Sequence, residues 1–576
     1  MTARKNRAAN RHRGQRGSVL SSVLIIVAFM SILVGGLMTE LTNSFLVSRT
    51  HSTRVEREAT VTSAVELGIH QLQTGSVPHV CAQDARGPWF LTLNGSSAAV
   101  SETCTAIVPD QAASLATSSV TIDGIHNTTA GRDEYIAATS SGRLNAYAFG
   151  QTSARWSVAL GGTMTASLLP MVDDDGLPEL MVPETMAGSG CGGHCVVSMH
   201  YSAGNPSFHC SMPASSAVTT PPALEVSPTG VRNFPDYVFF GGSGAGATLY
   251  VFDGASDHTC GPRASAPLSG DVIGAPLVFP GVVNVKGNTS SVSDEIFVLQ
   301  SDGTASALAH WRYTEAVDKD GGLTISLDEV ASQSLTPQLG GSLAGYATSA
   351  ASLAQGGSIT MAIAGTSGRM ALVRISEGKG PAYGVSLLGA TGLPGGVTAS
   401  PSWCHCPGQD LIAVGSTNGV LYLLDTGLTI LHSYDGTADG SPAIVSRPAP
   451  DVNGDWYFGA ADGYVYDVEI PLSGLQMFKA ARFGPGGQIR SSPVVGGASD
   501  GCGPGPCMYF GSSSAGLFFV ALGSTRVIDL RACISTGANS TTCYANPRLW
   551  ARVEVGPASV VGGTGVSVQG WSYYSP

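Results

Sequence analysis

Leu411–Asp425 reads LIAVGSTNGVLYLLD: an apolar run, a turn of small polar residues, then a second apolar run. Two short apolar runs joined by a Gly- and Asn-containing turn are the pattern of a β-hairpin. The pattern recurs at Tyr135–Tyr147 (YIAATSSGRLNAY), Tyr237–Asp253 (YVFFGGSGAGATLYVFD), Glu295–Leu308 (EIFVLQSDGTASAL), Thr360–Val373 (TMAIAGTSGRMALV), Trp456–Val468 (WYFGAADGYVYDV) and Met508–Leu522 (MYFGSSSAGLFFVAL). A degenerate copy at Leu180–Tyr201 has its turn widened around Cys191 and Cys195. These are eight hairpins, with starts 45 to 65 residues apart.

Working outward, a short segment of small and apolar residues precedes the hairpins, clearest at Ala275–Phe279, Ser400–Trp403, Ser441–Val445 and Ser492–Val495. Several hairpins are followed by a further strand-like piece, such as Arg155-Trp156, Ile430–Tyr434 and Leu549-Trp550. Four strands per unit at this period describe a β-propeller blade, whose two apolar faces are buried only between neighbours. The expected fold is an all-β propeller of eight blades, with seven as the alternative, preceded by one long N-terminal α-helix. Ring closure is expected where Ser559–Val561 or Val566–Trp571 pairs with the strand near Val120.

The repeat, written VGSxDGxLYxLD…W…SSPxV, resembles the PQQ-like β-propeller repeat. The match is best at Leu411–Val445 and Trp456–Val495 and extends over most of residues 118–576. The resemblance implies the fold and not one activity, because that repeat serves dehydrogenases, assembly scaffolds and adhesins alike. A quinone dehydrogenase would need a cofactor cage, and many such enzymes carry a vicinal Cys-Cys. This chain has no Cys-Cys, and the repeat tryptophan is replaced in several copies, for example by Tyr434. HExxH, Walker-loop and convincing G-x-S-x-G patterns are also missing. No PQQ and no enzyme activity are expected.

Ahead of the repeats, Arg16–Glu40 reads RGSVLSSVLIIVAFMSILVGGLMTE. Val19–Met38 is uncharged and about 20 residues long, enough for a helix to cross some 30 Å of hydrocarbon. Six basic residues and no acid precede it in residues 1–17, which places the leader in the cytoplasm and the C-terminal body outside. Beyond the apolar run, Val61, Val65, Ile69 and Leu72 recur at helical spacing, and Gly75 and Pro78 supply a stop. One helix over 18–75 is expected, with 76–117 as a connector.

A basic leader ending in Gly17, an apolar run opening on Ser18-Val19-Leu20, and a continuing amphipathic helix together resemble a type IV prepilin, most closely the PilX-like minor pilins. The resemblance covers about residues 10–75. It implies cleavage between Gly17 and Ser18, with the helix packing against other pilin subunits and the Val61–Leu72 stripe as one packing face. Most members carry Glu at the fifth mature position, where this chain has Ser22. Known pilus-tip adhesins also join such a spine to a PQQ-like propeller. The function implied is a minor pilin-like subunit of a type IV pilus or pseudopilus, presenting an extracellular propeller for adhesion or for tip and priming assembly. Its partners would be other pilins, the membrane through residues 19–38, and an unidentified protein or surface ligand on the propeller. The alternatives are a membrane-anchored scaffold for protein assembly or secretion, on a plain signal-anchor helix, and third an exported quinone-dependent dehydrogenase.

Charge excludes one class of partner. The chain carries a formal charge of −12, and beyond Gly17 it has 23 basic against 41 acidic residues. A body so acidic lacks the clustered cations that nucleic acid requires. All twelve cysteines lie beyond the apolar segment and fall as close couples: Cys81/Cys104, Cys191/Cys195, Cys210/Cys260, Cys404/Cys406, Cys502/Cys507 and Cys533/Cys543. An even number beyond the membrane fits disulfides in an oxidising compartment. Metal binding is the competing reading for Cys191-Gly-Gly-His194-Cys195, with His200, His209 and Cys210 nearby.

Calcium is the cofactor the acidic turns suggest. Asp318, Asp320 and Glu329 resemble positions one, three and twelve of an EF-hand loop, although Gly322 and Leu323 occupy positions five and six. Asp173, Asp175, Asp451, Asn453 and Asp455 sit in turns that resemble the calcium turns of FG-GAP repeats. Solvated acidic β-turns are the competing reading for all of them.

Overall fold

A computed structural model describes residues 11–74 and 86–573, apart from 94–95, 109–112, 129–132, 173–177, 186–190, 192, 201–205, 226–236, 255–259, 282–283, 287–288, 350–356, 379–382, 407–408, 452–454, 471–476, 485, 498–499, 501, 503–506, 523–524, 537–542 and 556–565. Helix α1 runs from Arg11 to Thr74 and stops just before Gly75. At 1.5 Å per residue, its 64 residues span about 96 Å. Gly17 and Ser18 lie within its first two turns. Val23–Ser44 is long and apolar enough to cross a membrane, and none of it is buried in the protein.

Eight antiparallel sheets follow the four-strand blade plan. In chain order they occupy 125–159, 163–214, 217–267, 271–334, 343–392, 402–435, 449–483 and 494–521, here blades 1 to 8. The strand order follows the chain within blades 1 to 7, with the first strand in two pieces in blades 2 and 3 and in three pieces in blade 4. Eight apolar clusters each join one blade to the next, including blade 8 to blade 1. Sandwiched strands are buried on both faces, as Glu134–Thr139 is throughout, so they read as unbroken apolar runs and not as alternation.

The repeat glycines have a role beyond turning the chain. A Cβ on Gly415 would come within 2.3 Å of Ile444, the residue that begins the inner segment of blade 7. Gly241 stands in the same relation to Val272, Gly459 to Ile489, and Gly511 to Val120. Each glycine lets one blade approach the next at the hub. The last of these contacts is the seam of the ring.

Closure differs from the expectation. The fourth strand of blade 8 is Ala113–Ala116, which pairs with Gly516–Ala521. Val120 N also donates to Ser512 O at 2.9 Å, Tyr135 stacks on Tyr509 with ring centroids 4.3 Å apart, and the Tyr509 hydroxyl donates to Gln151 O at 2.8 Å. Val566–Tyr573 takes no part in the seam, and Ser559–Val561 lies outside the described residues.

The C-terminal strands belong instead to a ninth sheet. Its order is Arg86–Leu93, Ser96–Val108, Thr525–Ser535, Cys543–Val555, Val566–Tyr573. The connector expected over 76–117 and the propeller expected over 118–576 are therefore corrected: the ring is residues 113–521, inserted between two strands of this sheet. Leu549-Trp550, expected to complete a blade, lies in it too. The cause is α1. Val61, Ala64, Val65 and Ile69 need an apolar partner, and alternate residues Ile528, Leu530, Ala532 and Ile534, with Leu549, Ala551 and Val553, supply one. Val61 and Val65 are completely buried there, each contributing on the order of 1.5–3 kcal/mol. Val61, Val65 and Ile69 of the stripe expected to face other subunits pack on the chain's own sheet, and the Leu72 side chain lies outside the described residues.

Candidate functional site

The inner segments of the blades enclose a cavity of about 930 Å³ on the ring axis. Most of its wall is Gly, Ala, Ser, Thr and Pro, where eight strands converge, with aliphatic residues such as Ile122, Leu168 and Leu343 between them. Four larger polar or aromatic residues stand out from these: Arg447, Arg490, Trp403 and Tyr346. Among the described residues, Asp123 is the single acid in the wall. It accepts hydrogen bonds from Ser492 N at 2.6 Å and Ser492 Oγ at 2.9 Å, which ties blade 1 to blade 8. Burial pushes its carboxyl above the usual range, against the opposing pull of the Ser492 bonds and of Arg447.

Arg447 comes from the inner segment of blade 7 and donates through Nε to Ser402 Oγ of blade 6 at 3.1 Å. Arg490, from blade 8, donates through Nε to Gln488 Oε1 at 3.0 Å. Neither forms an ion pair with a described residue, although the chain as a whole is acidic. Tyr346 is held in place by donating its hydroxyl to Ala275 O. Burial pushes its own ionisation well up.

Asp318 and Asp320 sit in a tight turn between strands Ser306–Val317 and Leu323–Ser334. Asp318 Oδ1 accepts from the backbone N–H groups of Asp320 at 2.9 Å and Gly322 at 2.7 Å. Glu329 lies along the second strand, opposite Trp311, while Val317 pairs with Leu323 at the turn. At about 3.3 Å per residue, six positions carry it some 20 Å from the turn. The twelve residues form a hairpin, so they do not wrap a cation. Asp451 and Asp455 bond each other's backbone across a turn, Asp455 N donating to Asp451 Oδ1 at 2.9 Å. Asp173, Asp175 and Asn453 lie outside the described residues. Among the described residues no three His, Cys, Asp or Glu side chains are grouped to hold a metal ion.

The structure joins Cys191 to Cys195, Cys210 to Cys260, Cys404 to Cys406, and Cys502 to Cys507. Cys533 is also disulfide-bonded. Cys81 and the side chains of Cys104 and Cys543 lie outside the described residues. His209 pairs with the buried carboxylate of Glu179, which also accepts from Ser198 Oγ at 2.9 Å. The cysteines and His209 of the suspected metal cluster are thus committed to other bonds.

Sequence reading missed the axial residues Asp123, Arg447 and Arg490. One signal for them existed: Ser446-Arg447-Pro448 and Arg490-Ser491-Ser492 place cations in segments otherwise made mostly of small residues.

No protein-family model matches this chain, and no curated protein matches it either. Among solved structures it is similar to Sqt1 of Saccharomyces cerevisiae, at 14% identity and a TM-score of 0.47, over 72% of this chain and 98% of that one. It is also similar to the Dos1 propeller (11%, TM-score 0.44, 72% and 94%) and to BamB from Moraxella catarrhalis (14%, TM-score 0.38, 73% and 97%).

Proposed function

We propose that the chain is a minor pilin-like subunit that presents an extracytoplasmic β-propeller for binding or for tip and priming assembly, and that it is not an enzyme. One observation carries the reading: α1 is divided between two tasks. Near its end, Val61, Ala64, Val65 and Ile69 are sealed on a sheet whose strands flank the ring on both sides in sequence, while Val23–Ser44 is bare and predominantly apolar. A bare apolar helix of this length needs a bilayer or a bundle of like helices to cover it. A propeller inserted on the sheet is too wide to stack along a filament, and it fits where nothing must pack above it. Arg16-Gly17 supplies the processing point.

Ser22 favours a second reading, a membrane-anchored scaffold that is never processed, because it removes the acid expected of a filament subunit. Co-expression with a prepilin peptidase separates the two. The first reading predicts an intact mass that begins at Ser18; a mass that retains residues 1–17 sinks it.

A further inference from the structure

We propose that the axial cavity is a binding site for an acidic saccharide, a short chain of uronate-type rings, held by Arg447 and Arg490. The wall presents two guanidinium groups against one carboxyl, and that carboxyl is already occupied by Ser492 and shifted toward its neutral form. Arg447 and Arg490 each spend Nε on a neutral oxygen, and among the described residues neither has a carboxylate at ion-pair distance, although Arg447 acts on Asp123 through space. Both guanidinium groups are solvent-exposed at the cavity wall, where they place positive charge on the axis of an otherwise acidic body. Guanidinium forks match carboxylates in shape and charge.

The rest of the wall selects for hydroxyl-bearing ligands. Ser167 Oγ donates to Asp123 O at 2.9 Å, Thr165 Oγ1 to Val218 O at 2.5 Å, and Thr398 Oγ1 to Ile444 O at 3.1 Å. With their protons committed to the backbone, these oxygens keep lone pairs for incoming O–H donors. A polyol that also carries carboxylates satisfies both sets of groups, whereas an acidic peptide supplies few O–H donors. Trp403 adds an aromatic surface to the same wall. The volume falls within the usual range for small-ligand sites, roughly 300–1,000 Å³.

The test is calorimetric titration of the full chain in detergent micelles with trigalacturonate, maltotriose and hexaglutamate. Trigalacturonate is expected to bind at least ten-fold more tightly than either control, and more weakly as salt rises. Arg447→Ala and Arg490→Ala are each expected to weaken it by about ten-fold or more, the loss typical of a charged hydrogen bond. Arg447→Lys should restore part of that loss, which distinguishes a lost cation from a damaged wall. No binding of trigalacturonate, equal or tighter binding of hexaglutamate, or an unchanged affinity in the double alanine variant would overturn the assignment. None of these results depends on leader processing, so the site and the pilin-like reading fail separately.

Discussion

The ring and the sheet on α1 are both antiparallel, yet they are assembled in opposite ways. Within the ring almost every strand pairs with a neighbour in sequence, across a turn or short loop. In the helix-backed sheet, Ser96–Val108 pairs with Thr525–Ser535, and Ser101 bonds a carbonyl 430 positions away. Closing a flexible loop of that length costs about 5 kcal/mol in chain entropy. A ring that has already closed through Ala113–Ala116 removes most of this cost, because both of its ends then emerge together. The seam of blades 1 and 8 thus serves two structures, the ring and the sheet beneath it.

The largest expected effect comes from breaking the sheet while sparing the ring. Val65→Asp buries an unpaired charge in the cluster on α1, a penalty of several kcal/mol. Hydrogen exchange should then show loss of protection in 528–534 and 549–553, with blades 2 to 7 unchanged. Next in size is the seam. Gly511→Ala forces a Cβ to within 2.4 Å of Val120 and is expected to cost about 1–3 kcal/mol. Gly415→Ala, which makes the same clash between blades 6 and 7, should lower the melting temperature similarly but leave the sheet on α1 protected. If the two variants expose that sheet equally, the seam has no special role.

A smaller loss, about 1 kcal/mol, is expected from Tyr509→Phe, which deletes the hydroxyl bonded to Gln151 N and O. Thermal melting of the variant measures it. The last effect is one of pH. Asp294 in blade 4 is pushed up to about 7 by burial, with Glu295 and Glu315 adding to the shift against a bond from Gly281 N. Its proton is held more tightly in the folded chain than in the unfolded one. The stabilisation is therefore complete below about pH 4 and disappears as pH rises through about 7. Melting temperatures across that window should flatten in Asp294→Asn; an unchanged slope would remove Asp294 as the cause.

The ring was legible because its contacts are local. Runs such as LIAVG and YVFFGG, each followed by a turn and a second run, carry strand, turn and period within one copy. Leu549-Trp550 is ambiguous because an apolar strand is the same in a blade as in a sheet on a helix; its strand neighbours are local in both, and no local pattern names the helix, about 480 residues back, on which it packs. The Val61–Leu72 stripe shows in sequence that one helix face packs on something, while periodicity does not say on what; Val61, Val65 and Ile69 pack on the chain's own sheet and not on other subunits. The acidic turns showed the opposite weakness. Asp318, Asp320 and Glu329 have cation spacing in sequence, but strand geometry at 3.3 Å per residue separates what a coiled loop would gather. The axial arginines were visible as letters and silent as a site, since their grouping exists only once eight inner segments meet.

Val108 and Thr525 are paired residues in the sheet, so the two chains that lead into and out of the ring lie side by side. Replacing residues 109–524 with a two-residue Asn-Gly turn tests the insertion most directly, because such a turn joins adjacent antiparallel strands. The shortened chain in detergent should fold, with cooperative melting and protected amides in 98–100, 528–534 and 549–553. An unfolded product would contradict the account, showing that the C-terminal strands depend on the ring and do not form, with α1, a unit of their own.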